Sequence, residues 1–360
     1  MSNSVLDDLK YCSAADPGGM LTAVEGFCDQ WEEATGIGMD FEPPKLSGIE
    51  SVAILGMGGS AIAGDFLRAY LQDDCPIPIV VVRGYDLPKW VGKSTLVIAS
   101  SYSGNTEETL TSTGEALRRG CPVIGITTGG KLEKIHEESG VAPVPLIKIP
   151  PGFSPRAVIG YSFVPLLVML GKLGFASDQK AVLEEAHQVL KGTCAAYGRS
   201  KKTGNNPAKD LAHRLFGRFP IVYCGGGVFE AVSYRWRCQF NENSKRLAGS
   251  HVVPEMNHNE IVGWEGPRHL TTSSVVIYLC DESNRREVNA RFEFMQPLIE
   301  KGGGRVVEFR GEGKSVLSRI FSMVNLGDFV SVYLALLEGV DPTPVYAIDT
   351  IKAHLETFAG

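Results

Sequence analysis

The fold is set by Ser51-Val-Ala-Ile-Leu55, a short apolar run followed directly by Gly56-Met-Gly-Gly-Ser60 and a helical pattern over 61–71. An apolar strand, a glycine turn and a helix in this order are typical of the opening unit of a parallel sheet. The same order returns about 170 residues later, in Phe219-Pro-Ile-Val-Tyr-Cys224, Gly225-Gly-Gly227 and another helical pattern. We interpret the recurrence as an internal duplication of an α/β domain. The alternative is two unrelated sheets that both use glycine at a tight turn.

Further short apolar runs alternate with helical patterns around these two turns. Continuous apolar strands separated by helices indicate a parallel sheet that helices cover on both faces. The predicted strands are 79–82, 96–99, 122–126, 146–149, 274–279 and 305–309, and the predicted helices are 106–119, 157–173, 178–197, 283–301, 321–338 and 346–358.

The chain is long enough for two domains, because single hydrophobic cores stop growing at about 250–300 residues. Breaks in the pattern at Pro43-Pro44, 150–155 and 204–207 indicate where the parts meet. We predict an N-terminal helical segment over 1–45, a first α/β domain over 46–155, connecting helices over 156–205, a second α/β domain over 206–340 and a C-terminal helix over 341–360.

Composition is that of an ordinary globular protein and argues against several functions. Of the 360 residues, 44% are hydrophobic and 21% charged, and the formal net charge is -6. A mildly acidic chain has no general electrostatic reason to bind nucleic acid or an anionic membrane. No apolar run reaches the roughly 18 uninterrupted residues of a membrane span, and the N-terminus does not resemble a secretory signal. Eight cysteines without a Cys-x-x-Cys pair suggest neither a disulfide framework nor a zinc site. We therefore expect a cytoplasmic protein.

The segment Ser101-Tyr-Ser-Gly-Asn-Thr106 lies between a predicted strand and a predicted helix. A helix start has free backbone N–H groups and a favourable dipole for an anion. The two serines and the threonine add hydroxyl donors, and Gly104 lets the backbone approach an anion closely. The Asn or the Thr could instead be a plain helix cap. Because the turn at 58–60 offers a second set of donors, we predict a phosphate site.

The first turn has a rival interpretation as a nucleotide site. Gly56-Met-Gly-Gly-Ser-Ala61 fits Gly-x-Gly-x-x-Ala, a dinucleotide fingerprint, and Arg83 after the next strand could meet a 2′-phosphate. No acidic residue ends that strand, however, and a dinucleotide site leaves the hydroxyl loop unexplained. A sugar phosphate is therefore the favoured ligand, and an NADP-binding protein remains an alternative.

These motifs resemble those of a known family. Gly-Gly-Ser at 58–60 and the hydroxyl loop at 101–106 are similar to the sugar isomerase (SIS) domain, a flavodoxin-like fold that often occurs in tandem. The segments Phe240-Asn-Glu-Asn-Ser-Lys245 and Pro254-Glu-Met-Asn-His-Asn-Glu260 narrow the resemblance to bifunctional phosphoglucose/phosphomannose isomerases. The resemblance runs from about residue 50 to the end of the chain. It implies two α/β, flavodoxin-like domains, the first for phosphate binding and the second for catalysis.

The resemblance also implies a reaction, an assembly and individual roles. The reaction interconverts glucose 6-phosphate and mannose 6-phosphate with fructose 6-phosphate, without a cofactor or a metal. Family members are dimers, and related isomerases take a histidine from the neighbouring subunit, so a homodimer with a shared site is implied. By position, the phosphate ligands are Gly59, Ser60, Ser101, Ser103 and Thr106, the catalytic residues are Glu242, His258, Arg156 and Lys352, and Thr343 is a loose match for a threonine that assists mannose substrates.

Aldose–ketose isomerisation suits these residue types. A carboxylate can move the proton between C2 and C1 through a cis-enediolate, and an arginine can stabilise the oxyanion. A histidine and a lysine can open the closed sugar ring. From spacing alone, Glu242, Glu255 and Glu260 are all candidates for the base, and the resemblance selects Glu242. The main alternative is a non-catalytic sugar-phosphate-binding regulator, which would have no use for Glu242, His258 and Lys352 together.

Overall fold

The computed structural model describes residues 4–138 and 145–357, so the outermost residues of both predicted terminal segments lie outside it. The described residues contain fourteen helices and nine strands. The helices are α1 Leu9–Ala15, α2 Met20–Glu25, α3 Phe27–Asp40, α4 Gly58–Tyr70, α5 Glu107–Arg118, α6 Gly130–Glu138, α7 Ile159–Lys172, α8 Lys180–Tyr197, α9 Pro207–Leu215, α10 Val228–Glu242, α11 Arg268–Thr271, α12 Arg286–Lys301, α13 Val316–Glu338 and α14 Tyr346–Glu356. The strands are β1 Ser51–Leu55, β2 Ile79–Val82, β3 Thr95–Ser100, β4 Val123–Thr127, β5 Leu146–Lys148, β6 Phe219–Gly225, β7 Gly249–Val253, β8 Ser274–Cys280 and β9 Arg305–Arg310.

The strands form two parallel sheets. The first has the order β2-β1-β3-β4-β5 and the second the order β7-β6-β8-β9. Each sheet therefore starts at an inner strand and places its second strand at the edge, as flavodoxin-like sheets do. The prediction of an α/β fold with two flavodoxin-like parallel sheets is confirmed.

Burial on both faces of the sheet explains why the sequences of the central strands are continuously apolar. β1, β3 and β8 are buried along their whole length, as expected for strands that helices cover on both sides. In β1, Val52 and Ile54 belong to one apolar cluster, whereas Ala53 and Leu55 belong to another. The strand therefore contributes side chains to two hydrophobic layers.

The two halves of the molecule share one hydrophobic core. α4 and α10, the helices that follow the first strand of each sheet, pack against each other, with α7 beside α4 and α13 beside α10. The ring of Phe321 on α13 lies 4.6 Å from that of Trp31 and 4.9 Å from that of Phe163, measured between centroids. Because α4 is fixed against α10, the carboxyl edges of the two sheets, where such folds bind ligands, are also fixed relative to each other.

Within the described residues, α13 is the one helix long and apolar enough to cross a membrane. Its most apolar window of 18 residues is 94% buried inside the protein. Arg319 and Asp328 interrupt its apolar pattern, so the sequence shows no continuous run there. Both residues are buried and paired, Arg319 with Asp281 and Asp328 with Arg235. α13 is therefore the central helix of the core.

Four elements were not predicted from the sequence: α6, α9, α11 and β7. β7 is an edge strand with half-exposed polar positions, so it has no continuous apolar run. The predicted N-terminal helical segment is divided into α1, α2 and α3. The division follows from Asp16, whose carboxylate accepts hydrogen bonds from the backbone N–H groups of Met20 and Leu21 and starts α2.

Candidate active site

The hydroxyl loop lies at the carboxyl end of β3 and leads into α5. Its Ser101 Oγ and Thr106 Oγ1 are 2.8 Å apart and share a hydrogen bond. Thr106 occupies the N-cap position of α5, yet its side chain accepts no hydrogen bond from the helix. The structure therefore does not support the plain capping interpretation of this threonine. The N–H groups at the start of α5 are left without a side-chain cap, as an anion site requires.

The glycine turn lies at the same edge of the sheet, because β1 and β3 are neighbouring parallel strands with Leu55 opposite Ala99. α4 starts at this turn, and no side chain caps its N-terminus either. A Cβ at Gly59 would lie only 2.7 Å from the carbonyl oxygen of Pro155. Two uncapped helix starts thus converge at one edge, and the absence of a side chain at Gly59 lets the chain around Pro155 pack directly against it.

A second loop, which follows β4, supports the hydroxyl loop from behind. The carbonyl oxygen of Tyr102 accepts hydrogen bonds from Thr128, at 3.0 Å from the backbone N–H and 2.8 Å from the hydroxyl. Gly104 has a left-handed backbone with φ of 66°, and a Cβ there would overlap the carbonyl oxygen of Gly129. The shape of the hydroxyl loop therefore depends on glycine at position 104.

Gly104→Ala is accordingly expected to weaken phosphate binding about tenfold or more, as loss of a well-aligned donor does. The substitution introduces both a strained backbone and a backbone clash, so the free energy of unfolding should also fall by about 1–2 kcal/mol or more. Isothermal titration with inorganic phosphate and chemical denaturation measure the two effects. Gly114→Ala is the matched control, because it lies on α5 with open space around it. A folded Gly104→Ala variant with an unchanged phosphate Kd would contradict the prediction.

Arg156 and Glu242 meet beside this edge. Glu242 is the last residue of α10, and Arg156 lies in the 3₁₀ turn Pro155–Ala157 that packs against Gly59. The Nη1 of Arg156 is 3.7 Å from Oε2 of Glu242, and the Arg156 residue is only 5% exposed. The structure thus brings together two predicted catalytic residues that lie in separate segments of the sequence.

The other two nitrogens of the Arg156 guanidinium donate hydrogen bonds to neighbouring residues. Its Nε donates to Oδ1 of Asn243 at 2.6 Å, and its Nη2 donates to the carbonyl oxygens of Pro342 and Thr343, both at 2.7 Å. Burial lowers the pKa of Arg156, and the nearby carboxylates of Glu242 and Asp341 oppose that effect. These contacts hold the side chain as a fixed cation whose Nη1 faces Glu242.

A buried polar network supports the backbone of Arg156, and sequence reasoning missed it. Nη2 of Arg235 donates to the Arg156 carbonyl oxygen at 2.8 Å and to Oδ2 of Asp328 at 2.6 Å. Gln239 donates to the other carboxylate oxygen of Asp328 at 2.7 Å. Burial raises the pKa of Asp328, while Arg235 opposes that effect. The sequence signal that could have indicated this network is Asp328, a single aspartate within an apolar helical pattern.

His258 and Lys352 stand apart from this pair. His258 ends the 3₁₀ turn Glu255–His258 and is exposed, and Lys352 lies on α14, which is exposed along its described length. Among the described residues, neither side chain forms a hydrogen bond or an ion pair with Arg156 or Glu242. A single protomer therefore brings together the hydroxyl loop, the Glu242 carboxylate and the Arg156 guanidinium.

The rival carboxylates have other partners. Glu260 accepts a hydrogen bond from Tyr223 at 2.6 Å, and its other oxygen is 2.8 Å from Nδ1 of His251. Glu255 accepts a hydrogen bond from Asn259 at 3.3 Å. Of the three candidate carboxylates, Glu242 is the one that the structure pairs with Arg156.

Thr343 contacts Arg156 through its backbone. Its carbonyl oxygen is held by Arg156, and its N–H donates to Asp341 at 2.9 Å. Its hydroxyl is buried against Gly18 without a hydrogen-bond partner among the described residues. The Thr343 side chain thus packs on the N-terminal segment and forms no hydrogen bond with Arg156 or Glu242 among the described residues.

Two other kinds of ligand, a metal ion and a dinucleotide, receive little support from the described residues. No group of three or more metal-ligating side chains lies together in the part of the chain that the structure describes. Arg83, the candidate for a 2′-phosphate, forms an ion pair with Asp65. This pairing weakens the dinucleotide interpretation of the first turn.

Family models match both halves of the chain. The chain matches a family model described as a bacterial phospho-glucose isomerase C-terminal SIS domain over residues 204–355, and a SIS domain model over residues 45–138. A bifunctional phosphoglucose/phosphomannose isomerase of Caldicellulosiruptor bescii is 41% identical over 93% of this chain and 98% of that one. A protein of the same name from Aquifex aeolicus is 37% identical over 93% and 98% of the two chains.

Solved structures share the fold at low sequence identity. The C-terminal domain of a glucosamine-fructose-6-phosphate aminotransferase from Francisella tularensis superposes with a TM-score of 0.68, at 14% identity, over 90% of this chain and 97% of that one. The architecture is thus that of the SIS fold. Because the two relatives match this chain almost from end to end, the resemblance in its motifs is confirmed, and the chain belongs to the bifunctional phosphoglucose/phosphomannose isomerase family.

Proposed function

We propose that this protein interconverts glucose 6-phosphate and mannose 6-phosphate with fructose 6-phosphate by proton transfer through a cis-enediolate. The observation that carries the proposal is the pairing of Glu242 with Arg156, 3.7 Å apart, next to the turn at Gly59. A base, a fixed cation and an anion-binding edge are the elements that this reaction needs. Membership of the family supports the same reaction.

Glu242 is the proposed base. Its carboxylate takes the proton from C2 of the aldose and returns it to C1 of the enediolate, which yields the ketose. Arg156 stabilises the negative charge that develops on the oxygens of C1 and C2. Its Nη1 is available for this role because Nε and Nη2 are occupied by Asn243, Pro342 and Thr343. The guanidinium therefore need not reorganise during the reaction.

The phosphate is proposed to bind between the starts of α4 and α5. Backbone N–H groups at both uncapped helix starts supply donors there. Side-chain hydroxyls add to them, and the helix dipoles favour the negative charge. The proposed ligands are Gly59, Ser60, Ser101, Ser103 and Thr106.

One base can serve both aldoses, because glucose and mannose differ only at C2. If the C2–C3 bond of the enediolate turns, the same carboxylate protonates either face. Thr343 is proposed to influence this balance through the carbonyl oxygen that holds Arg156. Its hydroxyl packs on Gly18 instead.

His258 and Lys352 are proposed to complete the site in a homodimer. The helix that carries Lys352 also exposes large apolar side chains, with Tyr346 at 75% and Ile351 at 61% exposure. Phe294 on α12 is 76% exposed. Apolar surface of this kind is typical of a protein–protein interface. In such a dimer His258 of one subunit opens the sugar ring bound by the other, and Lys352 assists at the ring oxygen.

Mixing two inactive variants tests the shared site. Glu242→Gln and His258→Ala are each expected to lose turnover of the cyclic substrate. If the histidine comes from the partner, a random 1:1 mixture regains about a quarter of the wild-type activity, because half of the dimers then carry one intact site. No recovery after verified subunit exchange would contradict a shared site.

His258→Ala has a second expected signature. Turnover of the open-chain sugar phosphate should survive better than turnover of the cyclic form, since the histidine acts in ring opening. Equal losses on both substrates would contradict this role. Size-exclusion chromatography with light scattering establishes the dimer independently of activity.

Incubation of the purified protein with fructose 6-phosphate, without metal or nucleotide, tests the function as a whole. Appearance of both glucose 6-phosphate and mannose 6-phosphate is the expected result. Binding of fructose 6-phosphate without conversion would favour the non-catalytic regulator instead. Formation of glucose 6-phosphate alone would overturn the mannose part of the proposal.

A cytoplasmic location is also proposed. All eight cysteines lie in the described part of the chain and are free thiols. Burial raises the pKa of most of them, for example that of Cys194 to about 12. Unpaired buried thiols are typical of proteins in a reducing compartment.

A further inference from the structure

Lys245 has an unusual backbone next to the Arg156–Glu242 pair. It follows α10 closely, and its φ is 52°. In the described part of the chain it is the one non-glycine residue with a left-handed backbone. Such a conformation is unfavourable for a side chain as large as lysine and persists where surrounding contacts hold it in place. The contacts of its ammonium group identify those constraints.

The Lys245 ammonium joins the end of α10 to the loop before α14. Its Nζ donates to the carbonyl oxygen of Glu242 at 2.7 Å and to that of Asn243 at 3.4 Å. It also donates to the carbonyl oxygen of Pro342 at 3.0 Å, an oxygen that Arg156 binds as well. A cation at a helix C-terminus is stabilised by the helix dipole. One ammonium thus connects the helix that carries Glu242 with the loop that holds Arg156.

The charges around Lys245 come from three segments. Arg156 lies on the 3₁₀ turn, Glu242 ends α10, and Asp341 lies on the loop before α14. Burial lowers the pKa of Lys245 and the charge of Arg156 lowers it further, whereas Asp341 and Glu242 act in the opposite direction. On α10 itself, Cys238 also faces Glu242, and burial raises the pKa of its thiol. Two cations, Arg156 and Lys245, therefore lie close to the carboxylates of Glu242 and Asp341.

We infer that Lys245 is a positioning residue of the proposed isomerase, which holds the end of α10, the helix that carries Glu242, against the 342–343 loop that binds Arg156. The inference rests on the proposed function. The position of the ammonium fixes the base relative to Arg156.

Lys245→Met and Lys245→Arg test this role. Lys245→Met keeps the length of the side chain but loses its charge and its three hydrogen bonds, so kcat should fall about tenfold. The loss should fall on kcat rather than on KM, because the placement of Glu242 against Arg156 matters for the transition state and not for phosphate binding. Lys245→Arg keeps a positively charged donor and should restore most of the lost kcat. Lys191→Met, on the exposed side of α8, is the control and should change neither quantity.

Several outcomes overturn the inference. A loss that appears in KM rather than in kcat, or that is equally large in Lys245→Arg, would contradict the inference. A wild-type kcat in Lys245→Met would contradict the positioning role. Lys245→Asn, which tolerates a left-handed backbone better, replaces Lys245→Met if that variant does not fold. If wild-type protein does not isomerise fructose 6-phosphate, the proposed function itself fails, which the wild-type assay reveals before any variant is compared.

Discussion

Glu242→Gln is expected to abolish isomerisation while leaving phosphate binding almost intact. Removal of a general base typically costs 10²–10⁴-fold in rate, so kcat should fall by at least about a hundredfold. Glutamine has nearly the shape of glutamate, and Arg156 keeps its contacts with Asn243, Pro342 and Thr343. The variant should therefore fold and hold its guanidinium in place. Coupled assays in both directions measure the rate, and titration with inorganic phosphate measures binding.

Glu260→Gln is the matched control for that experiment. Glu260 is the rival carboxylate whose oxygens are engaged by Tyr223 and His251. Its substitution should lower the free energy of unfolding by about 1 kcal/mol, as the weakening of a buried hydrogen bond does, with little change in kcat. Activity of Glu242→Gln above about a tenth of the wild-type value would exclude Glu242 as the base. Loss of activity in Glu260→Gln alone would reassign the base to Glu260.

Local features of the site could be predicted from the sequence. The hydroxyl loop and the glycine turn are short segments, each placed between a strand and a helix. Because the carboxyl ends of parallel strands meet at one edge, the sequence predicted that these segments lie together. The structure places both at the same edge, with Leu55 opposite Ala99. Their role in binding phosphate remains a proposal.

Long-range contacts could not be predicted in this way. From spacing, Glu242, Glu255 and Glu260 were equivalent, and family resemblance made the choice. The contacts that distinguish Glu242 come from Arg156 in another segment, and their geometry depends on α4 packing against α10. Arg235 on α10 and Asp328 on α13 support Arg156 from two helices. The residue pattern within one segment gives no information about such contacts between segments.

The contacts of His258 and Lys352 could be derived neither from the sequence nor from a single protomer, for a different reason. The sequence motifs place these residues in the family pattern, yet one protomer leaves both of them exposed. Their proposed roles therefore depend on a partner surface. The predicted domain boundaries likewise remain predictions, because α4, α7, α10 and α13 form one continuous core across them.

Arg156→Lys is the second substitution with a large expected effect. Lysine retains a positive charge but has no planar fork, so it cannot reach Asn243, two carbonyl oxygens and Glu242 together. We expect kcat to fall about 10²–10³-fold, as it does when a preorganised donor to an oxyanion is lost. The carbonyl oxygen of Thr343 then loses its donor, whereas that of Pro342 keeps Lys245, and we expect a loss of about 1–3 kcal/mol of stability.

Arg119→Lys provides the comparison that separates catalysis from folding. Arg119 also binds several carbonyl oxygens, those of Leu87, Pro88 and Val91, and pairs with Glu115. It lies at the end of α5, opposite the helix start that is proposed to bind phosphate. Arg119→Lys should therefore lose stability with an unchanged kcat, whereas Arg156→Lys should lose both. If Arg156→Lys loses only stability, Arg156 supports the fold without stabilising the enediolate.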